Sequence, residues 1–451
     1  MSRARGASEQ IRRLMHMGLR PNGSLWPLLR LGSVIASGNV LTALFRVVSL
    51  RIYTHLLTAQ AFGTANLVLG VLALGFQVCI QPVASTQLRY HTEATRSDHG
   101  DGFTVQALRW ALAAAALVAA LVVVGFALWS FADGAPASLG LIVAGAFWVL
   151  ASTTRTLFSA RLQAEQRMRS YIWLRVVEAG LIALLTSLAL LVWPNAEGFV
   201  WGQVAALLAA LLATAYVAPW PTLSLFARLA EPDRGTPRFW PILRRYGAPF
   251  APMSALQWLG NMGDRYVLAS ILGAAAVGQY LAAFTLASYG FLLANGMMTD
   301  LFRPKLFDAE SAGAGERAKR IFLAWLGAYI AISLGGLLGI ALLGDWIVWL
   351  LLAESYRAGA VEIMLWIAFG YSLYGLTLAF ENRLYSLGRS AATLPPLALG
   401  GLCNIGFALL LVPWHGVVGA AQANSLSFAV RLMLTGIILR GALKSPRNRA
   451  A

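Results

Sequence analysis

The stretch from Ser390 to Val430 reads SAATLPPLALGGLCNIGFALLLVPWHGVVGAAQANSLSFAV and contains no Asp, Glu, Lys or Arg. A helix needs about 20 apolar residues to cross the hydrocarbon core of a bilayer, so this stretch is long enough for two crossings. Pro413-Trp414-His415-Gly416 marks the turn between them, because proline and glycine interrupt a helix. The stretch therefore predicts a pair of transmembrane helices.

Four more long runs are free of charged residues, and they lie at Ile52–Leu88, Gly134–Thr154, Gly198–Ala227 and Ile321–Gly344. Of the 451 residues, 58% are hydrophobic and 12% are charged, about half the charged fraction of a soluble domain. We predict an all-α polytopic membrane protein with about twelve transmembrane helices. The predicted spans are approximately residues 31–57, 64–88, 105–131, 137–160, 171–193, 198–220, 246–272, 277–302, 321–343, 359–382, 391–413 and 416–440, with Trp346–Leu352 as a re-entrant or interfacial piece.

Basic residues indicate how these helices are oriented. The chain carries 35 Lys and Arg residues and a formal net charge of +16, and cytoplasmic loops of membrane proteins are enriched in such residues. With the N-terminus inside, all of them fall in segments predicted to be cytoplasmic except Arg46, Arg51, Arg265, Arg357 and Arg431. We therefore predict a multi-pass membrane protein with both termini in the cytoplasm. Because the charges lie between apolar runs and form no basic domain, we expect no nucleic-acid partner.

A short repeat divides the chain into two halves. Leu57–Gly63 reads LTAQAFG and Leu272–Gly278 reads LGAAAVG, so both follow the pattern Leu-small-Ala-x-Ala-apolar-Gly. Many secondary transporters are built from such duplicated halves, so we expect two pseudo-symmetric six-helix bundles around a central cavity. The predicted organisation is a basic cytoplasmic segment at 1–30, a first bundle at 31–220, a cytoplasmic linker at 221–245, a second bundle at 246–440 and a basic cytoplasmic tail at 441–451.

The sequence lacks the motifs of soluble enzymes. It has no phosphate-binding Gly-x-x-x-x-Gly-Lys-Ser/Thr loop and no His-Glu-x-x-His zinc motif. Its two cysteines, Cys79 and Cys403, lie in separate apolar runs, where a small buried hydrophobic side chain is the usual interpretation. We therefore predict no cofactor, no metal site and no enzymatic activity.

Polar side chains inside the first-half spans are candidate binding residues. A charge at the bilayer centre costs about 2.5–3.5 kcal/mol on insertion scales, so it needs a partner or a wet cavity. Asn39, Arg46 and Tyr53 recur every seven residues on one face of the first span, and Gln77 and Gln81 share a face of the second. Arg46 lies about 22 Å along its span at 1.5 Å per residue, too deep to reach the inner surface easily.

The second half offers a similar set of polar residues. Asn261 and Arg265 share a face of the seventh span, Asp264 is next to Arg265, and Arg431 lies within the twelfth span. We expect the polar faces to meet in a cavity that Arg46, Arg265 and Arg431 make electropositive, because the planar guanidinium group binds phosphate through paired hydrogen bonds. The alternative is that each arginine pairs inside a bundle or reaches a membrane interface.

Glu178 is the acidic candidate. It lies about one and a half turns into the fifth predicted span, near Arg175. An interfacial ion pair is the ordinary interpretation of such a carboxylate, and coupling of transport to a proton or a sodium ion is the alternative.

Three groups of residues resemble those of a known family. The first is Arg46–Gly63, the second is Arg245–Phe250 with Gly263–Leu268 and Ala276–Tyr280, and the third is Val412–Ala421. Together they resemble the polysaccharide (oligosaccharide) flippase family, the Wzx-type exporters of the multidrug/oligosaccharidyl-lipid/polysaccharide (MOP) superfamily. The resemblance extends from about residue 30 to about residue 440.

This resemblance implies a V-shaped pair of six-helix bundles that moves undecaprenyl-diphosphate-linked oligosaccharides from the inner to the outer leaflet of the bacterial inner membrane. The final product would be O-antigen, capsule or exopolysaccharide. By position, Arg46, Asp264 and Arg265 would face the anionic diphosphate or acidic sugars. The implied partners are this lipid-linked glycan, membrane lipid, a polysaccharide polymerase and glycosyltransferases.

Other functions compete with this one. A drug–cation antiporter of the same superfamily would need acidic residues in its cavity, and this chain offers mainly arginine. A peptidoglycan-precursor flippase usually has more than the twelve spans predicted here. A polysaccharide polymerase or ligase typically uses a large outer loop, and the longest outside segment predicted here, near Gly344 to Ala358, is short. A scaffold of the polysaccharide assembly complex would tolerate the loss of Arg46.

Overall fold

A computed structural model describes residues 26–97, 99–133, 139–217, 222–230 and 239–444 of the chain. The predicted cytoplasmic segment at residues 1–25, the tail at 445–451 and part of the linker lie outside these residues. The described residues are nearly all helical and contain no strand, which confirms the prediction of an all-α protein. Nine continuous helical stretches among them are long and apolar enough to cross a membrane.

Six long helices make up the first half. They are α1 (Trp26–Leu56), α2 (Ala59–Arg96), α3 (Gly100–Asp133), α4 (Leu139–Ala164), α5 (Met168–Val192) and α6 (Ala196–Val217). Each corresponds to one predicted span, because in lipid an apolar segment must satisfy its backbone hydrogen bonds within itself. α2 contains a π-helical turn at Phe76–Ile80, just before Pro82, which cannot donate a backbone hydrogen bond.

Two glycines divide the longest helices of the second half. Phe250–Ser311 contains Gly273 at φ 82° and Leu394–Lys444 contains Gly416 at φ 59°, angles that glycine tolerates because it has no Cβ atom. These bends define α7 (250–272), α8 (274–311), α11 (394–415) and α12 (417–444), with α9 (Gly315–Leu351) and α10 (Ala360–Ser386) between them. The twelve predicted helices are thus present, and the bend at Gly416 lies in the predicted turn.

The helices extend further than the predicted spans at several ends. α2 continues from residue 88 to Arg96, α4 from 160 to Ala164, and α8 from 302 to Ser311. These extensions contain polar residues, which end an apolar run without ending the helix. Span boundaries read from hydropathy alone therefore stop about one to two and a half turns early at these ends.

The structure corrects the prediction of a separate re-entrant piece at Trp346–Leu352, and the alternative of an interfacial position stays a prediction. Residues up to Leu351 form the last turns of α9, and Leu352 follows directly as the end of the helix. Gly344 and Asp345 interrupt the apolar run in the sequence, but the helix continues through both residues. Trp346 and Trp349 are exposed on its surface.

Helices of the same half account for most of the packing. Within the first half, α5 packs against α1 and α6, and α4 packs against α3 and α6. Within the second half, α10 and the two helices of Leu394–Lys444 pack against the two helices of Phe250–Ser311. The halves meet mainly where the first part of α2 lies against the Phe250–Ser311 helices. The bundle boundaries at 31–220 and 246–440 stay predictions.

The two copies of the sequence repeat meet at this junction. A methyl group added at Gly63 would overlap the carbonyl oxygen of Ala274, and one added at Gly278 would overlap the carbonyl oxygen of Ala59. Gly63 and Gly278 hold the same place in the two repeats, as do Ala59 and Ala274. The contact is therefore reciprocal, as expected between pseudo-symmetric halves. We call Leu57–Gly63 and Leu272–Gly278 together the repeat seam.

Candidate functional site

Arg46 lies on α1 and points into a cavity beside the second half of the molecule. Its Nη1 donates a hydrogen bond of 2.7 Å to the hydroxyl of Tyr289 on α8. The guanidinium carbon lies 5.2 Å from the centroid of the Tyr289 ring, close enough for a cation–π interaction. Arg46 makes no ion pair with the described carboxylates. Its other N–H groups are therefore available to a ligand.

The cavity that contains Arg46 has a volume of about 470 Å³, within the usual range for small-ligand sites. Its walls come from α1, α2, α4, α5 and α6 of the first half and from α8 of the second. Its charged lining residues are Arg46, Arg155, Arg175 and Glu178, and its uncharged polar ones are Thr42, Ser49, Tyr53, Asn66, Gln203, Thr285 and Tyr289. We call this space the arginine cavity.

Three guanidinium groups and one carboxylate line the arginine cavity. The carboxylate of Glu178 forms an ion pair with Arg155 of α4, not with the neighbouring Arg175 that the sequence suggested. The Nη1 of Arg175 instead donates a hydrogen bond of 3.4 Å to Oδ1 of Asn39. Glu178 thus neutralises one of the three arginines, and the described lining keeps an excess of positive charge.

A second cavity of about 340 Å³ adjoins the first and shares Thr42, Arg46, Arg175 and Tyr289 with it. It continues to Asn39 on α1 and to Gly296 on α8. Asn39 lies two turns closer than Arg46 to the start of α1, which is the end predicted to face the cytoplasm. The positively charged region therefore extends toward that end of the bundle.

The opposite end of the arginine cavity is closed by contacts between the halves. Phe62, which lines the cavity, belongs to the repeat seam. The hydroxyl of Tyr356 donates a hydrogen bond of 3.0 Å to the carbonyl oxygen of Leu57, and the backbone N–H of Ala353 donates one of 3.4 Å to the hydroxyl of Thr54. The cavity thus ends at the seam.

Arg265 and Asp264 lie in the interior of the second half and do not line the arginine cavity. The guanidinium group of Arg265 lies over the ring of Phe284, 4.7 Å from its centroid, and its Nε is buried without a described hydrogen-bond partner. Asp264 is fully buried, and its Oδ2 accepts a hydrogen bond of 2.5 Å from the hydroxyl of Tyr280. Their predicted contact with the diphosphate stays a prediction.

Arg431 is paired inside the second half, as the alternative interpretation of the sequence had it. Its Nη2 and Nε donate hydrogen bonds of 2.7 Å and 3.2 Å to the same oxygen of Glu381 on α10, and both side chains are buried. Arg431 shares with Asn261 a crevice of about 10 Å³, which has room for about one water molecule. This crevice is too small for a sugar or a phosphate in the described conformation.

Breaking the Arg431–Glu381 pair should destabilise the protein. In Glu381→Ala the buried guanidinium group would lose its counter-charge, and we expect the free energy of unfolding to fall by about 3–5 kcal/mol. The double variant Glu381→Met/Arg431→Met should recover most of that loss, because apolar side chains of similar length fill the same space. Denaturant titration in detergent micelles measures both values.

An exposed ion pair supplies the control for this comparison. Asp308 and Arg317 lie 3.8 Å apart and are 71% and 58% exposed, so Asp308→Ala should change the free energy of unfolding by less than about 1 kcal/mol. Equal stability of Glu381→Ala and the wild type would contradict the structural role assigned to the buried pair.

Gln77 and Gln81 do not line the arginine cavity. Gln77 lies in the π-helical turn of α2, and Gln81 follows that turn with an exposed side chain. The seven-residue recurrence on α1 does bring Asn39, Arg46 and Tyr53 to the two adjoining cavities. A part for the two glutamines in ligand binding stays a prediction.

Two cavity arginines were not singled out from the sequence. Arg155 and Arg175 were counted as residues of a cytoplasmic loop, but Arg155 lies within α4 and Arg175 two turns into α5. A signal was available, since both residues fall inside the predicted spans at 137–160 and 171–193. An arginine within a transmembrane helix needs a partner or a wet cavity.

Several solved structures have a similar fold. An inward-facing multidrug resistance MATE family transporter of the MOP superfamily is 14% identical, with 89% of this chain and 96% of that chain covered and a TM-score of 0.71. A MOP superfamily transporter from Pyrococcus furiosus is 14% identical over 92% and 96%, with a TM-score of 0.62. The lipid II flippase MurJ, in an inward closed conformation, is 12% identical over 91% and 87%, with a TM-score of 0.63. These likenesses establish a shared fold.

The search of curated protein sequences found no match. The model of the polysaccharide biosynthesis protein family matches residues 28–304, which is more than half of the chain. This match includes nearly all of α1, α2 to α7 and most of α8, and with them every residue named in the lining of the arginine cavity. The helical architecture, the fold and the family match agree with one another, and this chain belongs to the polysaccharide biosynthesis protein family, with the fold of MOP superfamily transporters.

Proposed function

We propose that this transporter is a flippase for undecaprenyl-diphosphate-linked oligosaccharides, which it moves from the inner to the outer leaflet of the bacterial inner membrane. The product is a surface polysaccharide such as O-antigen, capsule or exopolysaccharide. The observation that carries the proposal is the arginine cavity, where Arg46, Arg155 and Arg175 face the same space and Glu178 is the one carboxylate among the described lining residues.

A diphosphate is the anionic group that best matches this lining. Guanidinium groups bind phosphate oxygens through paired, charge-assisted hydrogen bonds, which are stronger than those between neutral groups. Charged groups within a membrane are costly unless they have a partner or face water. A cavity that keeps an excess of positive charge in the bilayer is therefore suited to an anionic cargo, which provides the missing counter-charges during transfer.

The architecture supports transfer by alternating opening of the two ends. The described conformation has cavity space toward the end predicted to be cytoplasmic, and the repeat seam closes the other end. Rocking of the two halves would open the seam and close the first end, as in other transporters built from repeats. The polyprenyl tail would stay in the bilayer beside the bundle while the head group crosses inside the protein.

The membrane potential would favour this direction of transfer. Moving one negative charge outward across an inside-negative membrane gains about 2.3 kcal/mol per 100 mV. A diphosphate carries more than one such charge, so the potential alone could bias transfer to the outer leaflet. Glu178 is engaged by Arg155 in the described conformation, and its predicted coupling to a proton or sodium ion is not needed for this bias.

A cationic drug is a poorer match to the same cavity. It would need carboxylates to replace its lost hydration, and the one carboxylate of the described lining is already paired with Arg155. The excess of positively charged guanidinium groups would repel a cationic drug. An antiporter for cationic drugs is therefore the less favoured function of this fold here.

Deletion of the gene tests the proposed function directly. We expect lipid-linked repeat units to accumulate in the inner leaflet and surface polysaccharide to disappear, and we expect the wild-type gene to reverse both effects. Leaflet-resolved labelling of the lipid-linked glycan separates a flippase from a polymerase, because loss of a polymerase leaves single repeat units in the outer leaflet. Single units that reach the outer leaflet normally without this gene would rule out the flippase function.

A further inference from the structure

The wall of the arginine cavity nearest to the repeat seam carries no charge. Its polar side chains there are the amides of Asn66 on α2 and Gln203 on α6, together with Tyr53, whose hydroxyl already donates to the carbonyl oxygen of Ile182. Phe62 and Phe199 line the same part of the cavity, with ring centroids 5.8 Å apart, and the ring of Tyr53 lies 5.1 Å from that of Phe199. This combination of amides and aromatic rings differs from the guanidinium groups in the rest of the lining.

The hydrogen bonds of the two amides fix what each offers to a ligand. The indole Nε1 of Trp148 donates to Oε1 of Gln203 at 3.3 Å; because indole N–H can only donate, the NH₂ group of Gln203 is the end left for a ligand. The Nδ2 of Asn66 donates to the carbonyl oxygen of Phe62 at 2.8 Å, which leaves Oδ1 of Asn66 as an acceptor. The wall therefore presents the unused NH₂ donors of Gln203 and the unused Oδ1 acceptor of Asn66 next to apolar rings; the second N–H of Asn66 and the second lone pair of the Gln203 oxygen are also unused in the described bonds.

An acetamido group is the chemical complement of this wall. Its N–H can donate to Oδ1 of Asn66, its carbonyl oxygen can accept from the NH₂ group of Gln203, and its methyl group can pack against Phe62 or Phe199. A hydroxyl group can make either hydrogen bond but has no methyl group for the aromatic rings. The wall thus favours a 2-acetamido sugar over a sugar with a hydroxyl group at the same carbon.

The spacing along α1 relates this wall to the charged part of the cavity. Tyr53 lies seven residues, about 10 Å along the helix, from Arg46. A head group whose phosphates contact Arg46 would place the sugar attached to those phosphates near Asn66 and Gln203. The cavity volume of about 470 Å³ limits this contact to the sugar nearest the diphosphate.

We infer that Asn66 and Gln203 are specificity-determining residues that recognise a 2-acetamido sugar directly attached to the lipid diphosphate, with Trp148 as a positioning residue for the amide of Gln203. The inference rests on the proposed function and adds the identity of the first sugar. It predicts selectivity at the reducing end of the glycan and tolerance of changes further along the chain.

Binding of three synthetic lipids to the full-length protein in nanodiscs tests the inference. The probes are undecaprenyl diphosphate, undecaprenyl-diphosphate-glucose and undecaprenyl-diphosphate-N-acetylglucosamine. For the wild type we expect the N-acetylglucosamine lipid to bind roughly tenfold more tightly than the glucose lipid, the combined effect of about one further net hydrogen bond and the packing of one methyl group. Asn66→Ala and Gln203→Ala should bring this ratio close to one, with the affinity for undecaprenyl diphosphate changed less than about twofold.

Two further variants separate recognition from general damage. Trp148→Phe keeps an aromatic ring but loses the N–H group, so the amide of Gln203 can turn over; we expect a lower ratio with unchanged binding of undecaprenyl diphosphate. Gln163→Ala removes an amide on α4 that donates to the carbonyl oxygen of Ser159 and lies outside the cavity lining, and it should leave the ratio unchanged.

The outcomes distinguish the inference from the function on which it rests. Equal binding of the two sugar lipids by the wild type, or an unchanged ratio in Asn66→Ala and Gln203→Ala, would overturn the inference. The proposed flippase function would still stand after such a result, provided that all three lipids bind the wild type and that Arg46→Ala weakens the binding of each to a similar extent. If none of the three lipids binds the wild type, both the proposed function and the inference fail.

Discussion

The Arg46→Ala variant should transfer lipid-linked oligosaccharide about 100-fold more slowly than the wild type while it folds normally. Arg46 has no carboxylate partner among the described residues, and its described hydrogen bond is to the hydroxyl of Tyr289. Its loss therefore strands no buried carboxylate. A diphosphate would lose charge-assisted hydrogen bonds worth about 1.5–3 kcal/mol each, and about 2.8 kcal/mol corresponds to a 100-fold effect.

The measurement combines leaflet-resolved labelling in cells with transfer rates in proteoliposomes. Arg46→Lys keeps the charge but loses the planar fork, so we expect an intermediate rate. Arg317→Ala is the matched control, because Arg317 is an exposed arginine in the first turn of α9 and does not line the arginine cavity. A wild-type rate in Arg46→Ala would remove the arginine cavity as the basis of the proposed function.

The Gly63→Val and Gly278→Val variants should each hold the repeat seam open. A side chain at position 63 would collide with the backbone carbonyl of Ala274, and one at position 278 with that of Ala59. A backbone carbonyl cannot move aside as the end of a flexible side chain can. Overpacking of this kind costs about 1–3 kcal/mol. Such a cost changes the balance between two conformations by about 5- to 150-fold. Transport should fall because the closed-seam conformation is depopulated.

Cysteine labelling reports the conformational change itself. With Cys79 and Cys403 replaced by serine, a single cysteine at Phe62 would react with an impermeant maleimide from the outside when the seam is open. We expect both glycine variants to increase this labelling by similar factors, because the seam is reciprocal. Gly327→Val is the control, since an added Cβ at Gly327 on α9 would contact nothing within 4 Å. Unchanged labelling in both variants would contradict the predicted opening of the seam. Increased labelling with a wild-type transport rate would show that the seam does not need to close.

Most of the fold was predictable from the sequence, because a bilayer imposes a local rule. Each helix that spans it must be long, apolar and internally hydrogen-bonded, so charge-free runs such as Ser390–Val430 reveal the helices that they contain. The bend at Gly416 was also predictable, because it lies in a Pro-Trp-His-Gly turn and proline and glycine interrupt a helix. The errors were at helix ends and at Trp346–Leu352, where polar residues interrupt the apolar run while the helix continues.

The site was only partly predictable. Arg46 could be singled out because a single charge deep in an apolar helix is costly unless it has a partner or faces a wet cavity. Arg431 met the same criterion, but the structure pairs it with Glu381 fifty residues earlier in the chain. Arg155 and Arg175 were overlooked because near the end of a span a cavity residue and a loop residue look alike in sequence.

The sequence by itself thus determined that the protein lies in a membrane and how many helices it has. It also provided the predicted orientation and the repeat that divides the chain into two halves, since each of these depends on composition and spacing along the chain. Only the tertiary structure decided which arginines have a carboxylate partner and which face a shared cavity. Charge pairing depends on distances of a few ångströms between side chains on different helices, such as α4 with α5 and α10 with α12. Those distances follow from the packing of the whole bundle, and no local pattern encodes them.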